Sequence, residues 1–160
     1  MDEFVLARVL HVVGVVLWIG GVAMVTAVLL PAVAQMKSAE ERVEFFEHIE
    51  RRFAAQARVT TLLVGLSGFY MVHLLNGWNR FAELHFWWMH AMVLVWVIFT
   101  MMLFVLEPWI LHQWFQAKAK SAPEKTFVLI QRMHWFLLSI SLITVAGAVA
   151  GSHGWVFPGK

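Results

Sequence analysis

Four long uncharged runs set the hydrophobic pattern of this chain. No Asp, Glu, Lys or Arg falls within residues 9–36, 59–79, 84–106 or 133–159. A helix of about 20 apolar residues crosses the roughly 30 Å hydrocarbon core of a bilayer, so each run is long enough to span it. Inside lipid the backbone must satisfy its own hydrogen bonds, and a run of this length does so as a helix. The pattern predicts an all-α integral membrane protein, a four-helix up-down bundle. Its spans are expected at residues 4–34, 55–77, 84–106 and 126–151, and a single transmembrane domain accounts for residues 1–160.

The connections carry their own signals. Ser38 with Glu41 fits a capping box, which predicts a helix starting at Ala39. Val43, Phe46, Ile49 and Phe53 recur at three- and four-residue spacing, with Glu40, Glu44, Glu47 and Arg51 assigned to the opposite face. No Pro or Gly separates this stretch from span two, so one long helix is expected, with a long cytoplasmic extension of helix two. Arg51-Arg52 on that extension suits lipid phosphates. Span one ends near Pro31. Glu107-Pro108 marks the exit of span three and a bend there, with the helix running on toward Trp114. Ser121 with Glu124 repeats the capping signal before span four, and Pro123 suits a first helical turn.

Composition agrees with the pattern. The chain is 61% hydrophobic and 14% charged, against about 25% charged in a soluble domain. The net charge of +2 does not point to nucleic acid, because the basic residues sit in the connections. Nine of the twelve Lys and Arg lie at one end: Lys37, Arg42, Arg51, Arg52 and Arg58, then Lys118, Lys120, Lys125 and Arg132. Arg8, Arg80 and Lys160 lie at the other. Basic loops stay inside, so both termini are expected to be non-cytoplasmic, in a multi-pass protein of the cell inner membrane. Met1-Asp2-Glu3 is acidic and the first run is too long for a cleaved signal, so it reads as a retained helix. The absence of cysteine excludes disulfides, covalent haem attachment and iron–sulfur ligation by this chain. Trp78, Trp87, Trp88, Trp109, Trp114 and Trp155 fall near span ends, as an aromatic interface belt would.

Each uncharged run holds an imidazole: His11, His73, His90 and His134. Ionisable side chains inside a membrane are costly and mark function by default. At 1.5 Å per residue, His11, His73 and His90 fall at depths within about 5 Å of one another, near the non-cytoplasmic surface. His134 lies in the inner half and does not join them. Three imidazoles at one level suit axial ligation of a haem b, a flat apolar cofactor that fits between helices. In a cyclic bundle spans one and three are diagonal, so His11 and His90 would approach opposite faces of one porphyrin, with His73 as the other candidate second ligand. Gly14 lies one turn from His11 and would admit the macrocycle, with Trp18 further along the same face. Arg8 and Arg80 could pair with the propionates. The plainer alternative is a set of histidines hydrogen-bonded across helices, each worth about 1 kcal/mol.

Copper is the rival metal, since nine methionines and eight histidines supply soft and borderline ligands. Met71 and His73 point about 200° apart on one helix, as residues two apart do, so a copper site would have to gather ligands across helices. The spans hold no paired carboxylates, and the chain has no phosphate-binding glycine loop.

The stretch Leu10-His11-Val12-Val13-Gly14-Val15-Val16-Leu17-Trp18-Ile19-Gly20-Gly21 resembles the first span of the CopD-type copper-resistance membrane domain and the related HemJ-type protoporphyrinogen oxidases. The stretch from Glu50-Arg51-Arg52-Phe53 to Ser67-Gly68-Phe69-Tyr70, and Trp87-Trp88-Met89-His90, are similar to their second and third spans. The resemblance covers roughly residues 5–108. It implies at least four helices and, for the HemJ type, a haem b held by His11 with His90 as partner. Where the HemJ pattern has a lysine two residues after the third-span His, this chain has Met92, which weakens the case for porphyrinogen oxidation. The expected function is that of a membrane b-type haem protein. It would pass electrons between a membrane donor such as a quinol and an acceptor near the outer face. A CopD-like copper-handling protein and a HemJ-like oxidase are the alternatives. Outward-facing small residues leave a homodimer open.

Overall fold

The computed structural model describes residues 2–111, 113, 115, 117–118 and 122–155. Trp114, Lys120, Ser121 and Lys160 lie outside the described residues. The described chain is helical apart from short turns, with four helices long and apolar enough to cross a membrane. The protein is therefore an all-α, multi-pass membrane bundle.

Span one runs as α1 (Asp2–Met24), a π-helical stretch (Val25–Leu29) and α2 (Leu30–Ala34). Pro31 explains the break: its ring crowds the carbonyl four residues back, and a wider turn just before it relieves the crowding. Span two is α3 (Ala39–Leu74), a single helix of 36 residues, about 54 Å long. It starts where the capping box places it, with Ser38 Oγ accepting from the Glu41 N–H at 3.4 Å. Two short 3₁₀ segments (Gly77–Ala82 and Leu84–Phe86) lead into α4 (Trp87–Met101). A ten-residue π stretch (Met102–Leu111) containing Pro108 then follows. Span four is α5 (Pro123–Ser152), with Pro123 in its first turn and Ala122 at the cap position without a side-chain cap.

The helices pack in cyclic order, span one on spans two and four, span three on spans four and two. Spans one and three are therefore diagonal, and Trp18 and Phe99 meet edge to face across the centre at 4.9 Å. Glycines set the close approaches. Trp96 lies over Gly65 and donates its indole N–H to the Thr61 carbonyl at 2.9 Å, joining spans two and three. Trp87 and Trp88 lie over Gly147 and Gly151, joining spans three and four near the terminal end. Trp88 is only 8% exposed, so these two tryptophans hold helices together where sequence alone suggested a lipid-interface belt.

The amphipathic start of α3 is also held by protein. Phe46, with Val43, Ile49 and Phe53 beside it, packs against Val25, Leu29, Leu30 and Val33 of span one and Phe127 of span four. Phe46 and Phe127 meet edge to face at 5.7 Å. This second core extends the bundle past the first, and Arg42 pairs with Glu124 across its tip at 3.3 Å. The outer face of α3 marks where lipid stops. Val59, Leu62, Leu66 and Tyr70 are exposed and largely apolar, whereas Glu44, His48, Arg51 and Arg52 are exposed and polar.

Candidate functional site

His11 sits on the inward stripe of α1, between buried Ala7 and Gly14. Its Nδ1 lies 3.0 Å from the Val64 carbonyl and 3.3 Å from Ser67 Oγ on span two. A carbonyl only accepts, so Nδ1 carries the proton and Nε2 keeps its lone pair. The Ser67 hydroxyl donates back to the Leu63 carbonyl at 2.6 Å, which fixes its oxygen beside the ring. Gly68 lies under the imidazole, where a Cβ would come within 3.1 Å of Cε1. The ring is thus seated in a groove of span two with one nitrogen anchored and one open.

The other imidazoles at this level are placed differently. His90 has Nδ1 at 3.2 Å from the Phe86 carbonyl and Nε2 at 3.0 Å from the Phe81 carbonyl, with Phe81 edge-on to its ring. Both nitrogens therefore face backbone oxygens of its own connection, across no other span. His73 is exposed on the last turn of α3. Gly14 faces Val64 closely enough that a Cβ would meet Cγ2 at 2.8 Å, so a helix–helix contact occupies that position. Arg8 is exposed, and Arg80 stacks over the Phe86 ring at 5.4 Å. Tyr70 donates its hydroxyl to Glu3 at 3.1 Å. Among the described residues no three His, Asp or Glu side chains gather to hold a metal ion. Of the described imidazoles, His11 alone hydrogen-bonds to a neighbouring span.

A space between the helices lies at the opposite, basic end. A cavity of about 1100 Å³, its open mouth included, runs from the Trp18–Phe99 contact toward the start of α3. Phe46, Phe53, Phe99, Met102 and Met133 form much of its wall. Glu47, Glu50, Glu107 and His134 also line it. The spacing sets Glu47 on the outer face of α3, but it borders this space as well as the outer groove, and its Oε1 is buried without a hydrogen-bond partner among the described residues. Trp18 is 3% exposed, and its indole N–H is likewise buried without an acceptor. His134 Nδ1 donates to the Ile130 carbonyl one turn back at 2.9 Å, which leaves Nε2 as an acceptor. Glu107 pairs with Arg58 of span two, whose Nε also donates to the Leu103 carbonyl at 3.0 Å.

Sequence reasoning passed over this cavity although one signal was present. At 3.6 residues per turn Glu50 lies about 40° from Phe46, inside the apolar stripe of α3. An acidic residue on a buried stripe needs a partner or a purpose. Searches against protein-family models, curated proteins and solved structures find no match to this chain.

Proposed function

We propose that this protein is a membrane b-type haem protein that moves electrons between a membrane donor of quinol type and an acceptor at its terminal end. The observation that carries the reading is the seating of His11. An axial histidine is oriented by a hydrogen bond from its other ring nitrogen, and the Val64 carbonyl at 3.0 Å supplies that bond. Nε2 then offers its electron pair in a single direction. An iron porphyrin would be held here through His11 Nε2. On the opposite side His90 becomes a ligand only by giving up the Phe81 carbonyl, and His73 is the other candidate. When bound, a haem supplies one-electron chemistry at the potential that its axial ligands set. Ser67 and Gly68 hold the imidazole of His11, while Trp96 over Gly65 keeps spans two and three in register beneath it. The resemblance of the first span to haem-bearing membrane proteins supports the same reading. The excess of Lys and Arg in the first and third connections supports placement in the inner membrane with the termini outside.

The absorption spectrum of purified protein tests the proposal. A Soret band with a reduced α-band of b type is expected, and His11→Ala is expected to lose at least nine-tenths of the bound haem, on the basis that ligand loss removes several kcal/mol of binding. Colourless wild-type protein carrying stoichiometric copper, or full haem in His11→Ala, overturns it.

A further inference from the structure

Two residues of the cavity at the basic end carry buried polar atoms with no hydrogen-bond partner among the described residues. Its wall holds one buried donor without an acceptor, the Trp18 N–H, and one buried acceptor without a donor, Glu47 Oε1. A third atom of this kind, Thr61 Oγ1, is not part of the cavity wall. Leaving such a group unsatisfied costs about 1–3 kcal/mol, so the pair implies an occupant. The occupant must accept one hydrogen bond and donate another. Most of the remaining wall is aromatic, aliphatic and methionine side chains, which suits an apolar body.

The level of the cavity narrows the choice. Exposed side chains on α3 are mostly apolar from Val59 onward and, Phe45 apart, polar up to Arg52, and Ala54, Ala57 and Glu107 of the cavity wall lie between. Trp18 and Phe99 lie deeper, within the lipid band, while Glu47 and Glu50 lie beyond it. A ligand that dissolves in the bilayer and brings its polar head to the interface enters at this level. Glu47, Glu50 and Glu107 line the wall, the last paired with Arg58, so no Lys or Arg among the lining residues is placed to receive an anionic headgroup. A hydrophobic cation suits the carboxylates and rings but leaves the indole N–H without an acceptor.

We infer that this cavity binds the headgroup of a membrane quinol. One hydroxyl oxygen accepts from Trp18 Nε1, and a hydroxyl donates to Glu47. His134 Nε2 is a further acceptor on the same wall. The choice of a quinol among two-ended aromatic alcohols rests on the redox reading of the protein, whereas occupancy of the cavity does not. None of its lining residues belongs to the His11 groove, so the two are separable.

Menadiol, titrated anaerobically into the protein in nanodiscs and followed by calorimetry, tests the assignment. Saturable binding near one per chain is expected. Trp18→Phe keeps an aromatic ring facing Phe99 and removes the N–H together with the five-membered ring that carries it, and at least a tenfold loss of affinity is expected, equivalent to about 1.4 kcal/mol. Glu47→Gln is expected to weaken binding severalfold, and Leu66→Ala, on the lipid face, to leave it unchanged. Melting temperatures within a few degrees of wild type establish that the variants are folded. His11→Ala is expected to bind menadiol as wild type does even where haem is lost, which separates failure of this assignment from failure of the haem reading. Absence of saturable binding, equal affinity in Trp18→Phe and wild type, or displacement of menadiol by tetraphenylphosphonium with loss confined to Glu47→Gln each overturns it. The last outcome makes the cavity a cation site, and the first leaves it to water.

Discussion

At the scale of single residues, composition said which side chains are unusual and the fold said what they touch. His11 and His90 sit in comparable apolar runs, yet one lies in a groove of the neighbouring helix and the other is closed by its own connection. That difference depends on the path of residues 77–86, which no periodicity reveals. The glycines repeat the lesson. Gly20 and Gly151 look alike in sequence, but a Cβ at Gly20 meets nothing within 4 Å, whereas at Gly151 it falls 2.3 Å from Trp88 Cδ2. Gly20→Ala is therefore expected to stabilise α1 by about 0.5–1 kcal/mol through backbone entropy. Gly151→Ala is expected to destabilise by about 1–3 kcal/mol, because an indole packed between two helices has nowhere to retreat. Thermal unfolding in detergent, with both variants beside wild type, reads the two signs. A Gly151→Ala protein as stable as wild type would remove Trp88 from the set of helix-joining contacts.

At the scale of elements, the helices themselves were legible. Hydrophobic runs gave the spans, and Ser38 with Glu41 gave the start of α3, because both signals are local. The π stretches were not legible beyond a bend at Pro108, since they depend on where the released carbonyls go. In π register the amide of residue 108 would bond to the carbonyl of Leu103, and proline has no N–H to give. Arg58 of span two donates to that carbonyl instead and pairs with Glu107 one residue before the proline. A guanidinium thus replaces a missing backbone donor and ties two helices near the edge of the membrane. Arg58→Met is expected to cost about 1–3 kcal/mol, leaving the Leu103 carbonyl and a half-buried carboxylate unpaired. Adding Glu107→Gln to it is expected to return a good part of that loss. A double-mutant cycle on unfolding free energy measures the coupling, and strict additivity would show that the pair does not act as a unit.

At the scale of the whole molecule, the bundle is longer than the membrane it crosses. Asp2–Ala34 and α3 each run to about 50 Å, against roughly 30 Å of hydrocarbon. The surplus lies at the basic end, where the second core around Phe46 gives the helices protein to pack on once lipid ends. This explains why the apolar run of span one continues to residue 36 while the outer face of α3 is already charged at Arg52: the first is covered by Phe46 and Phe127, the second faces out. It also explains how a cavity open at the basic end reaches Trp18 in the middle of the bundle. A chain without cysteine allows this placement to be read directly. Single cysteines at exposed Glu44, Leu66 and Glu83 sample the projecting end, the lipid face and the far connection. With a membrane-impermeant maleimide on intact cells, Glu83→Cys is expected to label and Glu44→Cys to label only after lysis. Leu66→Cys is expected to stay at least tenfold slower in both, because thiols in hydrocarbon are not ionised. Labelling of Glu44→Cys and Glu83→Cys from the same side would break the up-down arrangement, and a fast Leu66→Cys would move the lipid band off the face that α3 turns outward.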